Sequence, residues 1–109
     1  MNIWDDIVIT WEGQEYTVRP TIEFINSLER GAGRSLSKLL IRLYDSDLPS
    51  GIASEIIAKT LNAGGLKITT EEIFLATSGL GEEVVTMVAT IINACLPNRK
   101  GGSEEKKTE

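Results

Sequence analysis

The sequence predicts an α+β fold, mainly α: an N-terminal β-hairpin, about five short helices and a disordered C-terminal tail. Three observations lead there. Apolar residues alternate with polar ones between residues 6 and 19, then recur at helical spacing from about 22 to 96. Beyond Pro97 there is no large apolar residue left to offset the entropy of ordering the chain. At 109 residues there is room for one modest core. The expected organisation is a single globular domain over 1–97, with the hairpin at about 6–19 and helices at about 22–96, followed by a tail over 98–109.

Asp6–Trp11 and Gln14–Arg19 are β-rich runs separated by Glu12-Gly13, a pair suited to a tight hairpin turn or a bulged one. Alternation puts Ile7, Ile9 and Trp11 on one face, with Tyr16 and Val18 together on the partner strand. Pro20 stops the second strand. Thr21 then caps a helix carrying Ile22, Ile25 and Leu28, with Phe24 beside them, and Gly31-Ala32-Gly33 ends it. Ser35 caps a second helix whose Leu36, Leu39, Leu40, Leu43 and Tyr44 form a buried stripe, broken by Asp45-Ser46-Asp47. Pro49 suits the first turn of a third helix, with Ile52, Ile56, Ile57 and Leu61 opposite Glu55, Lys59 and Asn62, ended by Gly64-Gly65. Thr69 and Glu72 form a capping box for a short fourth helix with Ile73, Phe74 and Ala76, closed by Gly79-Leu80-Gly81. Glu82 and Glu83 open the fifth, where Val84, Val85, Val88, Ile91, Ile92, Cys95 and Leu96 keep helical spacing until Pro97. No charge interrupts this helix after Glu83, so it is read as the central core helix, the alternative being a part-interface with another subunit.

Composition bounds the function. No window approaches the roughly 18–20 apolar residues that span a bilayer, and the first residues do not read as an export signal. The single cysteine, Cys95, sits inside an apolar helical pattern and is expected to be a small core residue in a reducing cytoplasm. The net charge of −5 is uneven: residues 1–18 and 43–96 are acidic, whereas Arg19, Arg30, Arg34, Lys38 and Arg42 outnumber Glu23 and Glu29 between them. Acidity with one basic sector makes nucleic acid an unfavourable partner.

Chemistry-bearing patterns are sparse. The chain has no histidine, which removes the commonest general base and most zinc sites. Asp45-x-Asp47 lacks the glycine and terminal glutamate of a calcium loop, and neither Gly31-x-Gly33 nor Gly79-x-Gly81 completes a phosphate-binding loop. The expectation is a protein that is not an enzyme, with no metal and no cofactor. What remains is surface. Arg34, Lys38 and Arg42 recur every four residues and share a ridge where the second helix extends that far. Ile41 lies off the buried stripe between Lys38 and Arg42. These four residues, Arg34, Lys38, Ile41 and Arg42, are the candidate partner-binding set, the alternative being a solvated helix face.

Tyr16-Thr17-Val18-Arg19-Pro20-Thr21-Ile22-Glu23-Phe24-Ile25, followed by Leu28-Glu29-Arg30-Gly31-Ala32-Gly33-Arg34-Ser35-Leu36, resembles the tail assembly chaperones of long-tailed phages and gene transfer agents. Leu61-Asn62-Ala63-Gly64-Gly65, Thr69-Thr70-Glu71-Glu72 and Gly79-Leu80 are similar to later punctuation in that family. The resemblance covers about residues 6–96. Members are also described as tail tube proteins, but a tube subunit is built around a closed β-barrel that one hairpin and five helices cannot supply. The resemblance therefore implies a non-catalytic chaperone. Its partners would be the tape measure protein and tail tube subunits, with a homo-oligomer left open and no membrane involved. It would act in the cytoplasm of an infected or lysogenic bacterial host and be absent from the finished virion. The competing reading is a small phage-derived DNA-associated or regulatory helical protein using the basic sector. Against it, the second helix offers Lys38 and Arg42 but no Asn or Gln to read bases.

Overall fold

A computed structural model describes residues 4–78 and 81–96 of the chain. Glu12 and Gly13, both at positive φ (49° and 79°), reverse the backbone between β1 (Ile7–Trp11) and β2 (Gln14–Val18). That is the two-residue turn whose twist matches the flanking strands. It sets the antiparallel register Trp11 to Gln14, Ile9 to Tyr16 and Ile7 to Val18. Ile7, Ile9, Trp11 and Val18 are buried, as the alternation predicts, and Tyr16 is half-buried against the same core.

The helices follow as α1 (Ile22–Ala32), α2 (Leu36–Tyr44), α3 (Ser50–Ala63), α4 (Thr70–Ala76) and α5 (Gly81–Cys95). Each predicted side-chain cap is in place. Thr21 Oγ1 accepts from Phe24 N at 3.0 Å, and Ser35 Oγ accepts from Lys38 N at 3.4 Å. Thr69 Oγ1 accepts from Glu72 N at 3.0 Å while the Glu72 carboxylate accepts from Thr69 N at 2.9 Å, closing the capping box. Pro49 stands as the N-cap of α3, one residue before its first turn. The Gly79-Leu80 turn, Pro97 and the predicted tail over 98–109 lie outside the described residues.

The centre of the core is α3, not α5. α3 buries Ala53, Ser54, Ile56, Ile57, Ala58, Thr60 and Leu61, because α1, α4, α5 and β2 all pack on it. Its charges are absorbed at the rim: Lys59 Nζ pairs with Glu55 at 3.4 Å and donates to the Ser27 carbonyl at 2.8 Å, tying α3 to α1. The Thr60 hydroxyl is satisfied within the helix by the Ile56 carbonyl at 2.8 Å. α5 buries one face only, through Val88, Ile91, Ile92, Ala94 and Cys95. Its other face is kept wet by Thr86, Thr90 and Asn93, which are polar without being charged. Absence of charge is therefore a poor measure of how deeply α5 is buried.

Four large apolar residues assigned to helix faces turned to the core are instead exposed: Ile22, Tyr44, Phe74 and Val85. Ile22 is the first residue of α1, ahead of the turn that packs. Tyr44 stands about 100° around α2 from the centre of its leucine stripe. α4 is short enough that Ile73 alone carries its burial.

Candidate interaction surface

The basic sector is organised by the corner between α1 and α2. Gly33 adopts the left-handed conformation at φ 72°, and both Gly33 N and Arg34 N donate to the Glu29 carbonyl, at 2.8 and 3.3 Å. The Glu29 carboxylate then accepts from Leu36 N at 2.9 Å, placing a negative charge on the positive end of the α2 dipole. Nothing in the spacing of the sequence pointed to Glu29, whose role depends on the tertiary corner. Replacing Glu29 with alanine frees a part-buried N–H and should cost about 1–2 kcal/mol. A urea midpoint equal to that of the parent would show that this corner holds itself without the carboxylate.

The four ridge residues are not equivalent. Arg34 precedes the Ser35 cap and lies outside α2, while Lys38 projects from its first turn; both are exposed. Arg42 is half-buried, with a terminal nitrogen 3.4 Å from the Asp47 carboxylate and an Nε that has no hydrogen-bond partner among the described residues. Asp47 N in turn donates to the Arg42 carbonyl at 2.8 Å. Arg42 thus clamps the Asp45-Ser46-Asp47 loop, where Ser46 sits at φ 57°, and Asp47 is a counter-ion. Among the described residues no cluster of three or more Asp, Glu, His or Cys could hold a metal.

Ile41 is 60% exposed and Tyr44, three residues on and on the same side of α2, is 63% exposed. Beyond Tyr44 a mixed hollow runs along α5, with Val85, Ala89 and Ala94 interleaved with Thr86, Thr90 and Asn93 and with Asp5 and Asp6 at its border. Val85 also borders a cavity of about 480 Å³ lined by Leu43, Leu48, Ala53, Phe74 and Val84. Tyr44, Val85 and Phe74 join Ile41 as exposed apolar side chains, and Leu75 adds a further one on α4. Only Ile41 was legible beforehand, because the α2 leucine stripe is long enough to show which residue stands opposite it.

Hairpin, five helices and this broken apolar surface define a small, mainly helical α+β domain with chemistry suited to contact. The chain belongs to the family described as phage tail tube protein, GTA-gp10, which it matches over residues 5–98. It is a tail protein of the gene transfer agent type, and such a protein interacts with other tail proteins. Neither a curated protein nor a solved structure matches the chain. Among the described residues no helix is long and apolar enough to cross a membrane.

Proposed function

We propose that this chain is a non-catalytic tail assembly chaperone that binds the tape measure protein and assists assembly of tail tube subunits. It acts in the cytoplasm of the infected or lysogenic bacterial host and does not remain in the finished virion. The observation that carries this reading is the family match over residues 5–98 on a fold whose described residues hold one two-stranded sheet. Two strands do not by themselves close the barrel on which a tube ring is built, which favours a role on the tube over one in its wall. The surface supports the same reading. Arg34, Lys38, Ile41 and Tyr44 offer positive charge beside exposed apolar area, a mixture suited to modest contacts repeated along a long helical client.

Co-expression with the tape measure protein from the same phage or prophage tests this. The tape measure protein should be substantially more soluble with the chaperone than without it. Combining Arg34→Glu, Lys38→Glu and Ile41→Asp should remove most of the gain while leaving the melting temperature within a few degrees, since exposed charges contribute little to stability. Equal solubility with and without the wild-type chain would end the chaperone reading. Equal rescue by the triple variant would move the contact away from α2.

A further inference from the structure

The hairpin leaves one sheet edge without a partner. Across a two-residue turn Trp11 and Gln14 form the first hydrogen-bonded pair, so Ile9 with Tyr16 and Ile7 with Val18 are hydrogen-bonded pairs as well. The N–H and C=O groups of Val8 and Thr10 therefore point away from β2. Among the described residues they meet no backbone or side-chain hydrogen-bond partner. Natural edges are usually guarded by charge, proline or a bulge. The outer edge of β2 is so guarded, by Glu15 and then Arg19 just past the strand, whereas the outward groups of β1 belong to Val8 and Thr10.

This edge opens on a groove of about 950 Å³ between β1 and α5. Val85, Thr86, Met87 and Thr90 of α5 line it beside Val8 and Thr10, and Val8 and Val85 are exposed apolar side chains. Its charged lining is wholly acidic, Glu82 and Glu83, and Asp5 stands exposed just ahead of β1, while Asp6 beside it is paired with Arg19 at 3.3 Å. No lysine or arginine lines it.

We propose that β1 takes up an extended segment of a partner protein as a third strand, with alternate apolar side chains over Val85 and Met87 and basic residues flanking the segment. Two backbone donors and two acceptors, those of Val8 and Thr10, specify an extended strand rather than a helix. The acidic ends specify its flanks. A second copy of this chain fits poorly. Antiparallel pairing of β1 with itself about Ile9 would set Asp6 against Glu12 of the other copy and bring together two chains of net charge −5.

The probe is a synthetic ten-residue peptide of alternating valine and threonine between lysine pairs, added to the full chain and followed by amide NMR and hydrogen exchange. Binding should slow exchange at Val8 and Thr10 at least tenfold and weaken as salt rises. Val8→Pro removes an outward N–H and no ladder bond, so it should lower affinity at least tenfold while the melting curve stays close to the parent. Should that variant misfold, Val85→Lys tests the groove from α5 and should weaken the same peptide. The same peptide with glutamate pairs in place of the lysine pairs should bind far more weakly. The proposal is overturned if the lysine-flanked peptide does not bind at millimolar concentration, or binds without protecting Val8 and Thr10. It is equally overturned if the chain alone protects these amides as its concentration rises, which would make the edge a self-association surface. A Val8→Pro chain that loses the peptide yet keeps the tape measure protein soluble would support this edge as separate from the role proposed above.

Discussion

Ile57→Asp is expected to leave the chain unfolded at room temperature. Ile57 is fully buried at the middle of α3, the helix on which α1, α4, α5 and β2 converge. Among the described residues the nearest charges along α3, Glu55 and Lys59, already pair with each other at the rim. A carboxylate at position 57 would enter an apolar interior without a counter-ion, or take up a proton to avoid doing so, and either route costs several kcal/mol beyond the lost isoleucine packing. A domain of this size has about 5–15 kcal/mol in total, and the lower part of that range is the relevant one for 109 residues. Far-UV circular dichroism and a urea titration read the outcome directly. Ile92→Asp should be comparably damaging, since that side chain is also fully buried. A cooperative melt of the Ile57 variant within a few degrees of the parent would mean that α3 is not the centre of the fold.

The difference between α3 and α5 shows what the sequence could and could not convey. Caps and turns were legible because each is a local transaction: Thr21, Ser35 and the Thr69 to Glu72 box satisfy N–H groups within three residues of themselves. The Glu12-Gly13 turn fixed the strand register for the same reason. Depth of burial is not local. An apolar stripe says which side of a helix faces inward, but not how many neighbours close over the remaining sides. α3 also buries Ser54 and Ala58, which lie on the side of the helix turned toward its polar residues, and these small side chains let other elements approach. α5 carries large β-branched residues that look more hydrophobic, yet Val85 stays exposed.

The candidate surface divides along the same line. Ile41 was identifiable because it opposes the α2 leucines, and Lys38 because the Ser35 cap fixes where the helix begins. Arg42 sits at the same spacing but is half-buried and paired with Asp47, a counter-ion that follows the left-handed turn at Ser46. The free β1 edge and its groove needed the register and the placement of α5 together, and no single stretch of sequence contains both.

Cys95 should react with iodoacetamide at pH 8 at least about a thousandfold more slowly in the folded domain than in urea. The thiol is buried in the last turn of α5, and loss of solvent around the thiolate pushes its pKa from 9.0 up to about 12. At pH 8 a pKa of 9.0 leaves roughly one thiol in ten ionised, and a pKa near 12 leaves roughly one in ten thousand. Steric exclusion slows the reaction further. The same shift predicts a pH dependence of stability. Because the folded pKa lies above the unfolded one, the contribution of the neutral thiol is fully present below pH 9 and is lost as the pH climbs toward 12, where the unfolded chain gives up its proton first. Cys95→Ala isolates this effect from the lysines and tyrosines that titrate in the same range. At pH 7 the variant should be less stable by about 1 kcal/mol for the lost sulfur contacts, and between pH 9 and 11 its urea midpoint should fall less steeply than that of the parent. Parallel pH profiles for the two chains, or alkylation of the folded parent within tenfold of the unfolded rate, would mean that Cys95 is not enclosed by the core.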